Sequence, residues 1–276
     1  MVFPADDLIA RDLADAAGRR LLALRAAASD PNGADGTGRA ADGAEELRRA
    51  GDLSSQEFLA GELASLRPGD AVLSEEATDD LGRLSADRVW IIDPLDGTRE
   101  FGEPGRTDWA VHVALWERAT ADRTRGRAPG SGDGDLTCGA VALPAQGLVL
   151  STAEPPEPKP AAAEGRPLRI AVSRTRPPEF IPRLADALGA ELVPLGSAGA
   201  KAAAVITGEV DIYVHSGGQY EWDTAAPVAV ARAAGLHTSR IDGSPLGYNA
   251  EQPWMPDILI CPVPLAGLLI DAISAS

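Results

Sequence analysis

The chain is expected to be a mixed α/β protein, and three observations carry that expectation. Short apolar runs bounded by turn residues alternate with longer segments of helical spacing, so strands and helices interleave along one chain. Hydrophobic residues make up 45% of the 276 positions, enough for a substantial core. A proline-dense stretch from Glu154 through Pro167 admits neither helix nor central strand and divides the chain. The division predicts an N-terminal lobe over 1–153, a linker over 154–167 and a C-terminal lobe over 168–276.

The elements follow in order. Leu8, Ile9, Leu13, Ala16, Ala17, Leu21, Leu22 and Leu24 recur at helical spacing behind Asp6 and Asp7, which predicts a helix over 6–28. Residues 29–44 are rich in Gly, Asp and Ala and are expected to form a mobile loop. Leu53, Phe58, Leu59, Leu63 and Leu66 share one side of a second helix over about 52–66, stopped by Arg67-Pro68-Gly69-Asp70. Ala71-Val72-Leu73-Ser74 and Arg88-Val89-Trp90-Ile91-Ile92 are short buried strands, each running into acidic residues. Further strands are expected at 109–116, 137–143 and 147–151, with a polar loop over 119–135. Beyond the linker come strands at 168–173, 191–195, 210–215 and 257–261. Helices are expected at 179–188, 199–208 and 223–235, and one more closes the chain.

Charge and cysteine usage narrow the function. The net charge of −16 repels nucleic-acid polymers and anionic membranes, and it repels a phosphorylated small molecule unless bound cations invert the local sign. No apolar run reaches the roughly 18 residues of a membrane span, and the first residues lack a basic and apolar leader, so a cytoplasmic location is expected. Cys138 and Cys261 are far apart and outside any metal-binding spacing, which fits small buried residues in a reducing compartment.

The chemistry concentrates in three acidic motifs. Asp93-Pro94-Leu95-Asp96-Gly97-Thr98 leaves a strand directly. A strand end holds Asp93 rigidly, Pro94 restrains the backbone so that the Leu95 carbonyl can face a cation, and Asp96 adds a second hard oxygen. Gly97 lets a ligand approach the backbone, and Thr98 opens a helical turn whose N–H groups suit a phosphate. Taken alone, such a segment is also an ordinary tight turn. Leu73-Ser74-Glu75-Glu76-Ala77 also leaves a strand, and a paired acid there is also compatible with a solvated face. Glu221-Trp222-Asp223-Thr224-Ala225-Ala226 opens an Ala-rich helix, where Asp223 would serve equally as an N-cap.

In that order, Ser-Glu-Glu, Asp-Pro-Leu-Asp-Gly-Thr and Trp-Asp-Thr-Ala-Ala resemble the inositol monophosphatase superfamily, closest to its CysQ-type branch, the 3′(2′),5′-bisphosphate nucleotidases. The resemblance spans about residues 8–262 and implies a layered αβαβα sandwich of the sugar-phosphatase type. It implies that Glu75, Asp93 and the Leu95 carbonyl bind one magnesium ion, and that Asp93, Asp96 and Asp223 bind a second. A third, looser ion would sit on Glu75 through waters, and lithium would inhibit. Gly97 and Thr98 would hold the phosphate, with the Thr98 hydroxyl orienting the attacking water and Asp52 behind it. Ser197, Gly199 and Lys201 match the segment that meets the nucleoside and its second phosphate, alongside Asp96 and Asp223.

Some positions depart from the pattern. Before the second helix only Asp52 matches the family clearly, and a helix N-cap is its alternative role. Lys201, one of two lysines in the chain, is otherwise a snorkelling surface lysine. His215 stands where relatives often carry arginine, so a charged contact there needs a protonated imidazole; Arg174 and Arg176 are alternative sources of charge. His112 and His237 are expected to be structural.

The resemblance thus implies removal of the 3′-phosphate from adenosine 3′,5′-bisphosphate, with 3′-phosphoadenylyl sulfate a further substrate and a homodimer the usual state. An inositol 1-phosphate or fructose 1,6-bisphosphate phosphatase is the alternative within the class. A catalytically silent nucleotide- or metal-binding protein is the alternative outside it, and the intact acidic set argues against that.

Overall fold

The structure is a computed structural model that describes residues 4–28, 40–119, 134–157 and 166–275. Two long helices, α1 (Asp6–Ala28) and α2 (Ala40–Leu66), precede a first sheet. That sheet contains β1 (Ala71–Ser74), β2 (Arg88–Asp96), β3 (Ala110–Arg118), β4 (Gly134–Leu143) and β5 (Leu148–Ser151) in sequential order. Only β1 and β2 run parallel in it. A short helix, α3 (Thr98–Gly102), leaves the end of β2.

The second sheet is built from β6 (Arg169–Ser173), β7 (Glu191–Leu195), β8 (Ile212–Tyr220), β9 (Leu236–Ser239) and β10 (Trp254–Pro262), ordered β7-β6-β8-β10-β9. Its helices are α4 (Ile181–Leu188), α5 (Ala198–Ile206), α6 (Glu221–Ala233) and α7 (Ala266–Ser274).

Side-chain alternation stacks these elements into five layers. Along β3, Val111, Val113 and Leu115 face α1 and α2, while Ala110, Ala114 and Trp116 face the middle of the molecule. There the alanines of α5 and α6 pack between the two sheets, and α4 and α7 cover the far side of the second sheet. The small residues of the middle layer are what allow two helices to fit between sheets. The expected αβαβα layering is therefore present. The segment 158–165 of the expected linker lies outside the described residues.

Several boundaries differ from the sequence expectation. The second helix begins at Ala40 rather than near 52, because the Ala-, Glu- and Arg-rich run through Ala50 is a good helix former and outweighs Gly43 within it. Of the expected 29–44 loop, 29–39 lies outside the described residues and the rest is helical. Asp52 thus sits well inside a helix and cannot be its N-cap. Within the expected 119–135 loop, 120–133 lies outside the described residues, and β4 already starts at Gly134. The strand β9 was not expected. It carries His237, whose Nε2 meets Ser239 Oγ at 2.9 Å, so this histidine has a structural partner.

Gly51 shows why a poor helix former is kept inside α2. A Cβ there would stand 2.8 Å from Phe101 and 2.9 Å from Leu95, both buried and unable to give way freely. Helix propensity alone favours Gly51→Ala by about 1 kcal/mol, whereas overpacking a full core costs about 1–3 kcal/mol. The contacts win, so Gly51→Ala is expected to lower the midpoint of urea unfolding; a raised midpoint would show that the α2–α3 contact is slack.

Candidate active site

The three acidic motifs converge on one cleft of about 310 Å³ between the two sheets. Glu75 follows β1, Asp93 and Asp96 lie at the end of β2, and Asp223 lies in the first turn of α6. Oxygens of Asp93, Asp96 and Asp223 come within 4.8 Å of one another. Glu75 stands at the mouth of the same cleft, beside Asp93. The Thr98 hydroxyl lies 3.1 Å from the Leu95 carbonyl and 3.3 Å from Asp52 Oδ1, its one proton serving either acceptor in turn, and Leu95, Gly97 and Thr98 line the cleft.

Local structure fixes each acid. The Leu95 N–H donates to Asp93 Oδ1 at 3.1 Å, and Ser55 on α2 donates to the Pro94 carbonyl at 2.7 Å, which ties the turn to the outer helices. Gly97 follows with φ +85°, a left-handed conformation that a side chain would strain. Asp96 closes the N-terminus of α5, with Oδ1 accepting the Ala198 N–H at 3.2 Å and Oδ2 the Gly199 N–H at 2.6 Å. A helix start satisfies a carboxylate in this way because its first N–H groups have no partner within the helix. Asp223 is the third residue of α6 rather than its cap, and its Oδ2 accepts the Tyr220 N–H at 2.7 Å.

The helix carrying Asp223 is latched to the segment beyond Glu75. Arg83, fully buried, donates to Asp79, to Asn249 Oδ1 at 2.7 Å and to the Ala250 carbonyl. Glu221 in turn accepts the N–H groups of Asn249 and Ala250 at 2.6 and 2.8 Å.

Crowding of like charges dominates the electrostatics. Burial and the charges on Glu75, Asp96 and Asp223 hold the Asp93 carboxyl well above the usual range. Burial, followed by Asp223 and Asp96, pushes Glu75 to about 8, and burial with Asp96 pushes Asp223 to about 7. Asp52, whose Oδ1 lies 3.3 Å from the Thr98 hydroxyl, is raised to about 6 by burial and by Glu76. A set of hard oxygens that resists ionising together fits a divalent cation, whose charge removes the repulsion.

The residues of the specificity segment fall in different places. Lys201 is buried, not a surface lysine. Its Nζ donates to the carbonyls of Gly196 and Ser197 at 2.5 and 2.7 Å, and burial lowers it to about 8. Ser197 caps α5, its hydroxyl accepting the Ala200 N–H at 2.9 Å. Gly199 lies behind Asp96, whereas Ser197 and Lys201 are on the cleft wall. Arg174 is engaged by Glu100 and Glu103, while Arg176 lines the cleft. Burial and Lys201 lower His215 to about 4, so it is neutral at neutral pH and does not replace an arginine's charge. Asp108 was not singled out in the sequence. Its carboxylate accepts the Gly196 N–H at 2.6 Å and its carbonyl the Ser197 N–H, and only the folded distance reveals this.

The model of the inositol monophosphatase family matches residues 7–122 and 136–265. A protein of Mycobacterium tuberculosis named 3′-phosphoadenosine 5′-phosphate phosphatase is 54% identical over 230 residues, covering 83% of this chain and 82% of that protein. One of the same name from Mycobacterium leprae is 49% identical over 270 residues, covering 97% and 93%. An inositol monophosphatase structure from Staphylococcus aureus superposes with a TM-score of 0.70 at 19% identity, covering 96% of this chain and 95% of that one, which shows the fold.

The raised carboxyls make stability depend on pH and on magnesium. Groups whose folded-state values lie above their unfolded values stabilise the fold fully below about pH 4, and that contribution is lost as pH rises through 7–8. Magnesium at about 100 times its dissociation constant is expected to raise the melting temperature by roughly 5–10 °C at pH 8. The expected rise at pH 5 is much smaller. Equal shifts at both pH values in differential scanning calorimetry would contradict the crowding account.

Proposed function

The chain belongs to the inositol monophosphatase family, and from that premise we propose that it removes the 3′-phosphate of adenosine 3′,5′-bisphosphate, giving AMP and inorganic phosphate. The observation that carries the phosphatase reading is the convergence of Glu75, Asp93, Asp96 and Asp223 on one cleft beside Gly97 and Thr98. The nucleotide is favoured by the names of the relatives about half identical to this chain. In this reading the 1–153 and 168–276 lobes each supply part of the site, and the enzyme works in the cytoplasm, where its two buried thiols stay reduced.

Glu75, Asp93 and the Leu95 carbonyl would hold one magnesium ion and Asp93, Asp96 and Asp223 a second, and Glu75 would hold a third loosely. When bound, magnesium supplies Lewis-acid polarisation of the phosphate and an acidified attacking water for an in-line displacement. The chain's own residues do the rest. The N–H groups of Gly97 and Thr98 orient the phosphate. The Thr98 hydroxyl receives the water's proton as its own passes to Asp52, 3.3 Å away. With its carboxyl near 6, Asp52 is ionised at neutral pH yet basic enough to take that proton. No side chain forms a covalent bond to phosphorus. Ser197 retains a hydroxyl proton to donate into the cleft, and Arg176 offers charge to the second phosphate.

The test is phosphate release with magnesium from adenosine 3′,5′-bisphosphate, inositol 1-phosphate and fructose 1,6-bisphosphate. The nucleotide is expected to lead by at least about tenfold in kcat/KM, equivalent to about 1.4 kcal/mol of transition-state stabilisation. Lithium should inhibit, and Asp96→Asn should be inactive. A lead for inositol 1-phosphate would leave the metal site standing and remove the nucleotide assignment.

A further inference from the structure

We propose that His112 is a positioning residue of the metal centre, whose imidazole sets the Asp96 carboxylate and the start of α6 in register with each other. The proposal rests on reading Asp93, Asp96 and Asp223 as the ligand set. His112 lies on β3 directly opposite Asp93 on β2, so the two side chains leave the sheet on the same face. The ring is fully buried. Its Nδ1 stands 3.0 Å from the Trp222 carbonyl oxygen, and because a carbonyl only accepts, Nδ1 carries the proton there. Trp222 is the residue before Asp223. On the other side of the ring Nε2, which carries the lone pair in that tautomer, stands 3.3 Å from Asp96 Oδ2, the oxygen that also accepts the Gly199 N–H, so ring and carboxylate touch with no hydrogen bond between them.

The third contact is α5. A Cβ on Gly199 would stand 2.2 Å from His112 Nε2 and 2.9 Å from the Ala110 Cβ, so only a glycine lets this helix seat against the ring edge. One imidazole is therefore the meeting point of β2, α5 and α6, which between them carry or orient Asp93, Asp96 and Asp223. A side chain needed only to fill this space would be apolar. A buried ring nitrogen set against a carboxylate with no hydrogen bond of its own carries a desolvation cost that packing does not explain. The arrangement matches the general rule that polar groups behind metal-ligating side chains set their orientation.

The test uses the full chain and magnesium alone as the probe. Isothermal titration is run on metal-free wild type and on His112→Phe, His112→Gln and His112→Asn, with each variant's melting temperature in EDTA as the check on folding. His112→Phe keeps the ring and removes both nitrogens, and it is expected to weaken magnesium binding by about 10–100-fold. At limiting magnesium kcat should fall with it, while KM for adenosine 3′,5′-bisphosphate at saturating magnesium stays within about threefold, since no substrate contact is lost. His112→Gln places an amide near the Nε2 position and should recover most of the affinity, whereas His112→Asn reaches only toward the Trp222 carbonyl and should recover less.

Wild-type magnesium affinity in a His112→Phe protein that is merely less stable in EDTA would overturn the proposal and leave His112 a packing residue. If His112→Phe does not fold, equal affinities for the Gln and Asn variants overturn it and tighter binding by Gln supports it. Absence of magnesium binding to the wild type would instead overturn the ligand reading beneath it.

Discussion

Mutual repulsion among buried carboxylates is the constraint on which the rest of the architecture depends. Asp93, Asp96 and Asp223 are held close together with Glu75 at the mouth, in a cleft whose walls strip away much of the water that would screen them. Left without a cation, these groups take up protons, as the raised Asp93, Glu75 and Asp223 carboxyls show. The one lysine ammonium among the described residues, Lys201, does not resolve the conflict, because it is turned to the carbonyls of Gly196 and Ser197. A divalent cation resolves it, and the same positive charge admits a phosphate to a chain of net charge −16. Acidity that looks hostile to an anionic substrate is thus the means of binding one.

Such a site needs a rigid frame, and the layered fold supplies it from several directions. The end of β2 provides two acids on one turn, held from the outer helices through Ser55. The start of α5 donates its N–H groups to Asp96 and the first turn of α6 carries Asp223, and alanines pack both helices between the sheets. Helix dipoles and unpartnered N–H groups stabilise Asp96 in the orientation the site requires. The Arg83–Asn249–Glu221 latch joins the segment beyond Glu75 to α6, so both lips of the cleft are fixed to one hydrogen-bonded network.

Much of this was legible in the sequence. The strand-to-acid junctions at Glu75 and Asp93 could be read because short apolar runs end abruptly in charge, and the helices beyond the linker followed their periodicity, while the short β9 was missed and β8 runs on to Tyr220. The start of α2 was hidden in part by Gly51, a poor helix former kept because it admits Phe101 and Leu95. Lys201, Gly199 and Asp108 were matters of three-dimensional placement. A buried lysine and a surface lysine have the same local sequence, and Asp108 meets Gly196 across 88 residues. His112 looked like an apolar-strand residue because its partners, Asp96 and the Trp222 carbonyl, lie on other elements.

The most direct test of the account is to soak crystals in manganese and locate the ions by anomalous scattering. Peaks are expected between Asp93, Asp96 and Asp223 and between Glu75 and the Leu95 carbonyl, and their loss is expected in Asp93→Asn. An empty cleft in manganese-soaked crystals, or ions bound only at surface carboxylates elsewhere, would contradict it.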